Sequence, residues 1–183
     1  MRSLIASALI LAAGPALATG LEIDVEGEGS GTVVIDLLED VAPNHVEQIT
    51  ALAEAGAYDG VVFHRVIPGF MAQTGDVQHG RVGGNLALAG TGSSDRPNVD
   101  AEFSDVSFER GVVGMARSSD PDSANAQFFI MFAPATHLDG EYTVIGRVTE
   151  GMDVIDGVKK GSVERNGAIE GAPDVMSDVR VVP

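Results

Sequence analysis

The stretch Phe63-His64-Arg65-Val66-Ile67-Pro68-Gly69-Phe70-Met71-Ala72-Gln73-Thr74-Gly75-Asp76 decides how this chain is read. Residues 61–67 are mostly β-branched or aromatic, the composition of a strand, and Pro68-Gly69 interrupts the run as a turn. Residues 70–74 then resume extended structure. Successive side chains of a strand point to opposite faces. Phe63 and Arg65 are therefore expected on one face, with Val62, His64 and Val66 on the other. The same rule puts Met71 and Gln73 together on the next strand.

Working outward towards the N-terminus, Leu21-Glu22-Ile23-Asp24-Val25 alternates apolar and acidic residues, the mark of a half-buried strand. A glycine-rich break at 27–31 and a β-branched run at 32–38 complete a hairpin. Pro43 suits the first turn of a helix, where its missing N–H costs little. Val46, Ile49 and Ala53 follow at helical spacing, and Gly56 ends the segment. Towards the C-terminus, glycine-rich 75–98 reads as loop. Residues 111–117, 127–132, 143–148 and 175–182 read as strands, with a short helix through Met152, Ile155 and Val158. On the second of these strands Gln127 and Phe129 share a face. Many strands with two helices predict a mainly β domain, a closed or sandwiched antiparallel sheet, with a barrel preferred. One surface then gathers Arg65, the amides of Gln73 and Gln127, and the apolar groups of Phe70, Met71 and Phe129. An apolar pocket with a few convergent polar groups suits a small ligand or a peptide.

Composition narrows the partners. The chain has 183 residues and a net charge of −16, which disfavours nucleic acid and anionic membrane surfaces as partners. It has no cysteine, so disulfides, thiolate metal sites and a cysteine nucleophile are excluded. His45, His64, His79 and His137 lack metal-ligand spacing, so a metal site is not expected; His64 is expected to hydrogen-bond in or near the barrel wall. Asp120-Pro121-Asp122 lacks the glycine and terminal glutamate of a calcium loop. Ser93, Ser118 and Ser119 lack the G-x-S-x-G setting of a hydrolase. Residues 1–18 read as a cleavable export signal: Arg2, an apolar run from Leu4 to Gly14, then Ala16-Leu17-Ala18 before Thr19. The apolar run is short of the roughly 20 residues of a membrane span. Residues 19–183 are expected to be one domain, in the periplasm and without stable membrane association, and still more acidic once Arg2 is removed.

The quoted 63–76 stretch closely resembles the signature of the cyclophilin-type peptidyl-prolyl cis-trans isomerases. Ala42-Pro43-Asn44-His45-Val46-Glu47 is similar to the start of their first helix. Gly114-Met115-Ala116-Arg117, Ser123-Ala124-Asn125-Ala126-Gln127-Phe128-Phe129-Ile130, Leu138-Asp139-Gly140 and Val144-Ile145-Gly146-Arg147-Val148 resemble further family blocks in the family's order. The resemblance implies a closed eight-stranded antiparallel β-barrel capped by two helices, with its active site on the outer surface. It implies that Arg65 is catalytic, that Phe70, Met71, Phe129 and Leu138 line a proline pocket, and that Gln73 and Gln127 orient the peptide. Ala116 and Arg117 match positions that bind substrate partly through backbone groups, and Tyr142 falls where many members carry a pocket histidine. It further implies proline-containing polypeptides as partners, no cofactor, and a monomer. A proline-peptide binding module or chaperone on the same barrel is the other reading; Arg65 separates the two, since binding needs the pocket but isomerisation needs a donor.

Three positions depart from the best-known eukaryotic members. Tyr142 resembles exported bacterial relatives, and Arg117 replaces a common asparagine, adding positive charge at the rim. His137 stands where those members often carry tryptophan, whose indole N–H contacts cyclosporin. Cyclosporin is therefore expected to inhibit weakly while activity is retained; inhibition at nanomolar drug is the opposite result.

Overall fold

A computed structural model describes residues 19–183; the expected export signal at 1–18 lies outside the described residues. The chain folds as β1 (Gly20–Glu26), β2 (Gly31–Leu37), α1 (Pro43–Glu54), β3 (Val61–Val62), β4 (Arg65–Ile67), β5 (Met71–Thr74), β6 (Val112–Met115), β7 (Phe128–Met131), β8 (Val144–Glu150), α2 (Met152–Gly157) and β9 (Val175–Val182). All nine strands join one antiparallel sheet in the order β3-β9-β1-β2-β8-β6-β7-β5-β4. The β1–β2 hairpin and the closing strand 175–182 match the sequence reading.

The expected closed eight-stranded barrel is corrected to a curled nine-stranded sheet. The difference lies at Phe63-His64. The single strand expected over 61–67 breaks there, and its halves take different partners. β3 pairs with β9 through Val61–Met176, whereas β4 pairs with β5 through Arg65–Gln73. The two outer edges of the sheet are thus joined by chain, with no ladder between them. The break also shifts the side-chain phase, overturning the expectation that Phe63 and Arg65 share a face. Phe63 and Val66 both enter the main core, while Arg65 is left half-buried at a surface depression.

Two apolar clusters explain why the central strands read as continuous hydrophobic runs. On β7, Phe128 and Ile130 belong to the main core inside the curl, whereas Phe129 and Met131 belong to a second cluster on its outer face. Strand β6 divides likewise, with Val113 and Met115 inside and Val112 outside. A strand covered on both sides loses polar alternation, as buried parallel strands do. The second cluster, which includes Phe108, Ala135, Leu138 and Val144, forms the floor of the candidate site.

Helix α1 starts as expected at Pro43, but Ala42 offers no side-chain cap. A distant carboxylate supplies it: Glu102 accepts from the Asn44 and His45 backbone N–H groups at 3.2 and 3.0 Å. It also lies 2.6 Å from His45 Nδ1 and accepts from the Asn44 amide. Burial raises the Glu102 carboxyl's pKa, but the bonds from His45 and Asn44 outweigh it and hold the group below its ordinary range. This anchors the helix, whose Val46, Ile49 and Leu52 close one side of the core.

Candidate active site

The outer-face cluster opens onto a depression of about 160 Å³ lined by Arg65, Phe70, Met71, Gln73, Ala116, Arg117, Phe129, Leu138 and Tyr142. Gln127, the remaining residue singled out from the sequence, lines an adjoining hollow of about 290 Å³ that shares Gln73, Ala116 and Arg117. All ten side chains therefore border one continuous groove. Antiparallel register brings them there: Arg65 opposes Gln73 across β4–β5, and Gln73 opposes Phe129 across β5–β7.

Aromatic packing shapes the floor. The Phe108 and Phe129 rings stack at 5.7 Å, and Phe129 meets Tyr142 edge to face at 5.8 Å. The Arg117 guanidinium lies 4.4 Å from the centre of the Tyr142 ring. Its N–H groups donate to the carbonyls of Glu141 and Ser118, so much of its donor capacity is used in building the rim. Phe70 stacks with His137 at 5.9 Å, the position where the resemblance leads one to expect tryptophan. The stack over Phe108 and Phe129 requires a glycine beneath it. A Cβ on Gly114 would sit 2.6 Å from Phe108 Cε1 and 2.7 Å from Phe129 Cζ. Gly114→Ala is therefore expected to displace Phe129, weaken peptide binding several-fold and destabilise the fold by about 1–3 kcal/mol, as overpacking does. Peptide titration and urea unfolding of the variant check both effects; unchanged peptide affinity would contradict the packing argument.

A chain of hydrogen bonds sets the polar edge. Arg65 Nη1 donates to Gln73 Oε1 at 2.9 Å, and Gln73 Nε2 donates to Gln127 Oε1 at 3.0 Å. Gln127 Nε2 then donates to the Gly92 carbonyl at 2.9 Å. On its other side Arg65 donates from Nε to the Asn166 carbonyl at 3.0 Å and from Nη2 to Asn166 Oδ1 at 2.9 Å. Burial lowers the guanidinium's pKa, and the Tyr142 side chain opposes that effect. The group stays charged at any working pH.

The loop wall of the groove hangs on Asp76, a fully buried residue outside the expected site set. Its Oδ1 accepts from the Gln78 and His79 N–H groups at 3.1 and 2.8 Å, and its Oδ2 from those of Gly90 and Gly92 at 2.7 and 2.9 Å. The loop expected at 75–98 is thus tied internally, and Gly92 links it to Gln127. Asp76 also explains a correction at His64. Neither buried ring nitrogen has a partner of full hydrogen-bond geometry, and only the Val62 backbone acts weakly on the ring as an acceptor. The nearby carboxylate is already committed to four N–H groups, and the ring packs against Gly90 instead. Asp76 and Asn166 were not singled out from the sequence. Asn166-Gly167 is a readable turn signal, but its bonds to Arg65 span 101 residues. Among the described residues, no three His, Asp or Glu side chains converge as ion ligands.

A curled antiparallel sheet with an aromatic-floored groove, edged by one clamped guanidinium and two amides, offers a site suited to a small ligand or to a peptide carrying an apolar side chain. The family model described as cyclophilin type peptidyl-prolyl cis-trans isomerase/CLD matches residues 21–181. The "Probable peptidyl-prolyl cis-trans isomerase" of Brucella suis biovar 1 (strain 1330) is 54% identical over 148 residues, 80% of this chain and 76% of the relative. "Peptidyl-prolyl cis-trans isomerase 10" of Caenorhabditis elegans is 38% identical over 136 residues, covering 74% of this chain and 80% of the relative. Among solved structures, a cyclophilin from Hirschia baltica superposes with a TM-score of 0.70 at 27% identity, over 87% of this chain and 72% of that one. A cyclophilin type isomerase from Cryptosporidium parvum shares the fold, with a TM-score of 0.75 at 22% identity over 91% and 99% of the two chains. The chain belongs to the cyclophilin-type peptidyl-prolyl cis-trans isomerase family and is an enzyme of that class.

Proposed function

We propose that this isomerase accelerates rotation about Xaa-Pro bonds in exported polypeptides, using Arg65 as its catalytic residue and the depression over Phe129 as its proline pocket. The observation that carries the reading is the Arg65 guanidinium, clamped beside an apolar depression large enough for a pyrrolidine ring. Amide resonance holds the peptide bond planar, with a rotation barrier of about 18–20 kcal/mol. Twisting the C–N bond localises a lone pair on nitrogen, which accepts a hydrogen bond that neither planar isomer can accept. A guanidinium N–H aimed at that nitrogen stabilises the twisted state selectively, which is the condition for catalysis. No covalent bond forms or breaks and no proton is transferred, so no nucleophile or general base is required.

Phe70, Met71, Phe129 and Leu138 would seat the proline ring. Gln73 and Gln127 would hold the peptide backbone, with Ala116 and Arg117 along the rim and Tyr142 supporting the floor. Residues 1–18 support export to the periplasm, where slow prolyl isomerisation, about 10–100 s uncatalysed, delays the folding of newly arrived chains. We take the working form to be a monomer. Exchange NMR on an Xaa-Pro peptide, with residues 19–183 added at catalytic concentration, tests the activity. Faster cis-trans exchange is expected; an unchanged exchange rate would overturn the reading. Fractionation of the host cell tests the location, with the processed chain expected in the periplasmic fraction.

A further inference from the structure

We infer that Asn166 is the positioning residue for Arg65, holding the plane of the guanidinium at the orientation that isomerisation requires. The inference rests on Arg65 acting as the catalytic donor. A guanidinium carries five N–H bonds in one plane. Asn166 alone takes two of them, on adjacent nitrogens: Nε donates to its main-chain carbonyl and Nη2 to its side-chain Oδ1. Gln73 takes one on Nη1. The two-point clamp by Asn166 sets the rotation of the plane, and one N–H on each terminal nitrogen remains for the groove.

The backbone around Asn166 is built for this placement. Asn166 is the one described non-glycine residue with positive φ, at φ 54° and ψ 37°. In that left-handed conformation its carbonyl and side chain both face Arg65. Asparagine tolerates the conformation better than most side chains. The segment is also fastened to the strand that bears Arg65. Val66 N–H donates to the Gly167 carbonyl at 2.8 Å, and Gly161 N–H donates to the Val66 carbonyl at 2.9 Å. The approach is too close for side chains at the glycines. A Cβ on Gly161 would lie 2.0 Å from the Gly167 carbonyl oxygen, and one on Gly167 2.5 Å from Ile67 Cγ1. Asn166 itself is exposed, so nothing in the core depends on its amide.

Asn166→Gly tests the role with little risk to the fold, because glycine keeps the left-handed backbone and the carbonyl and removes the side chain that carries Oδ1. It is expected to lower kcat about tenfold with KM for an Xaa-Pro peptide within twofold and the melting temperature retained. Asn166→Asp, which restores an acceptor at the same point, is expected to recover kcat to within about threefold. In an Arg65→Ala background, Asn166→Gly is expected to have no further effect on the residual rate. Wild-type kcat in Asn166→Gly, or an equal fractional loss in both backgrounds, would overturn the positioning role. If instead Arg65→Ala alone leaves the rate intact, it is the assignment of Arg65 that fails, and the two failures are told apart.

Discussion

Arg65→Ala is expected to lower kcat/KM on an Xaa-Pro peptide by two to three orders of magnitude while leaving peptide affinity within a few-fold of wild type. The size follows from what one preorganised donor contributes: losing a single donor aimed at a transition state costs about 10²–10³ in rate. The separation of rate from affinity follows from the geometry. The side chains expected to seat proline belong to an apolar cluster with Phe108, Val112 and Val144, whereas the hydrogen bonds of the Arg65 side chain run to Gln73 and Asn166. Removing Arg65 frees Gln73 Oε1 and both Asn166 oxygens at a half-exposed edge, where water can replace the lost donors. The fold should therefore survive.

Arg65→Lys sharpens the test. An ammonium is a point charge, and it cannot bridge Gln73 and both Asn166 acceptors as a planar fork does. It should recover little of the lost rate despite retaining the charge. A coupled assay gives kcat/KM, and an NMR titration under non-catalytic conditions gives affinity. Full activity in Arg65→Ala would remove Arg65 from the mechanism. A parallel collapse of affinity would show that the arginine holds the substrate instead of easing the rotation.

The residues bordering the groove were legible because strand alternation is local. Met71 with Gln73, and Gln127 with Phe129, share faces by a period of two, and the register of β5 and β7 sets them side by side. The same rule misjudged Phe63 and Arg65, because it assumes an unbroken strand. Phe63-His64 leaves the ladder when β3 pairs with β9 and β4 with β5, a choice made by partners more than 100 residues away in one case and fewer than ten in the other. No local pattern records that competition. The missing residues have the same cause. Asn166 and Asp76 sit in segments with ordinary turn composition, and what distinguishes them is which remote donors they meet. Glu102, which caps α1 from outside the helix, is a third example: it lies 57 residues from His45. Secondary structure was written in the spacing of apolar residues, whereas the polar bonds holding the groove's edge depend on tertiary closure.

The folded domain is expected to lose about 2 kcal/mol of stability between pH 7.5 and pH 5, and on the order of 3 kcal/mol by pH 4, with His64 as the source. Burial pushes His64 from 6.5 down to about 4, against the opposing pull of the Asp76 carboxylate and the Val62 backbone, while the Arg65 charge adds to the lowering. Its folded-state pKa lies below its unfolded one, so above about pH 6.5 the ring is neutral in both states and costs nothing. As the pH falls the unfolded chain takes up a proton that the folded chain refuses, and stability drops through this window.

Asp76 acts in the next window down. Burial raises its pKa, but its four backbone N–H donors outweigh that and hold it below the ordinary carboxylate value. Its contribution therefore persists above that value and is lost only as the pH falls further, through its folded pKa. The consequence reaches the groove, because His64 packs on Gly90 while Asp76 holds Gly90 and Gly92, and Gly92 anchors Gln127. Acid should thus loosen the loop wall and the chain of amides leading to Arg65 together. Urea midpoints across pH 7.5 to 4 measure the effect, and His64→Leu is the control. The variant should flatten the curve between pH 6.5 and 4 whatever its absolute stability, and a slope equal to that of wild type would place the acid sensitivity elsewhere.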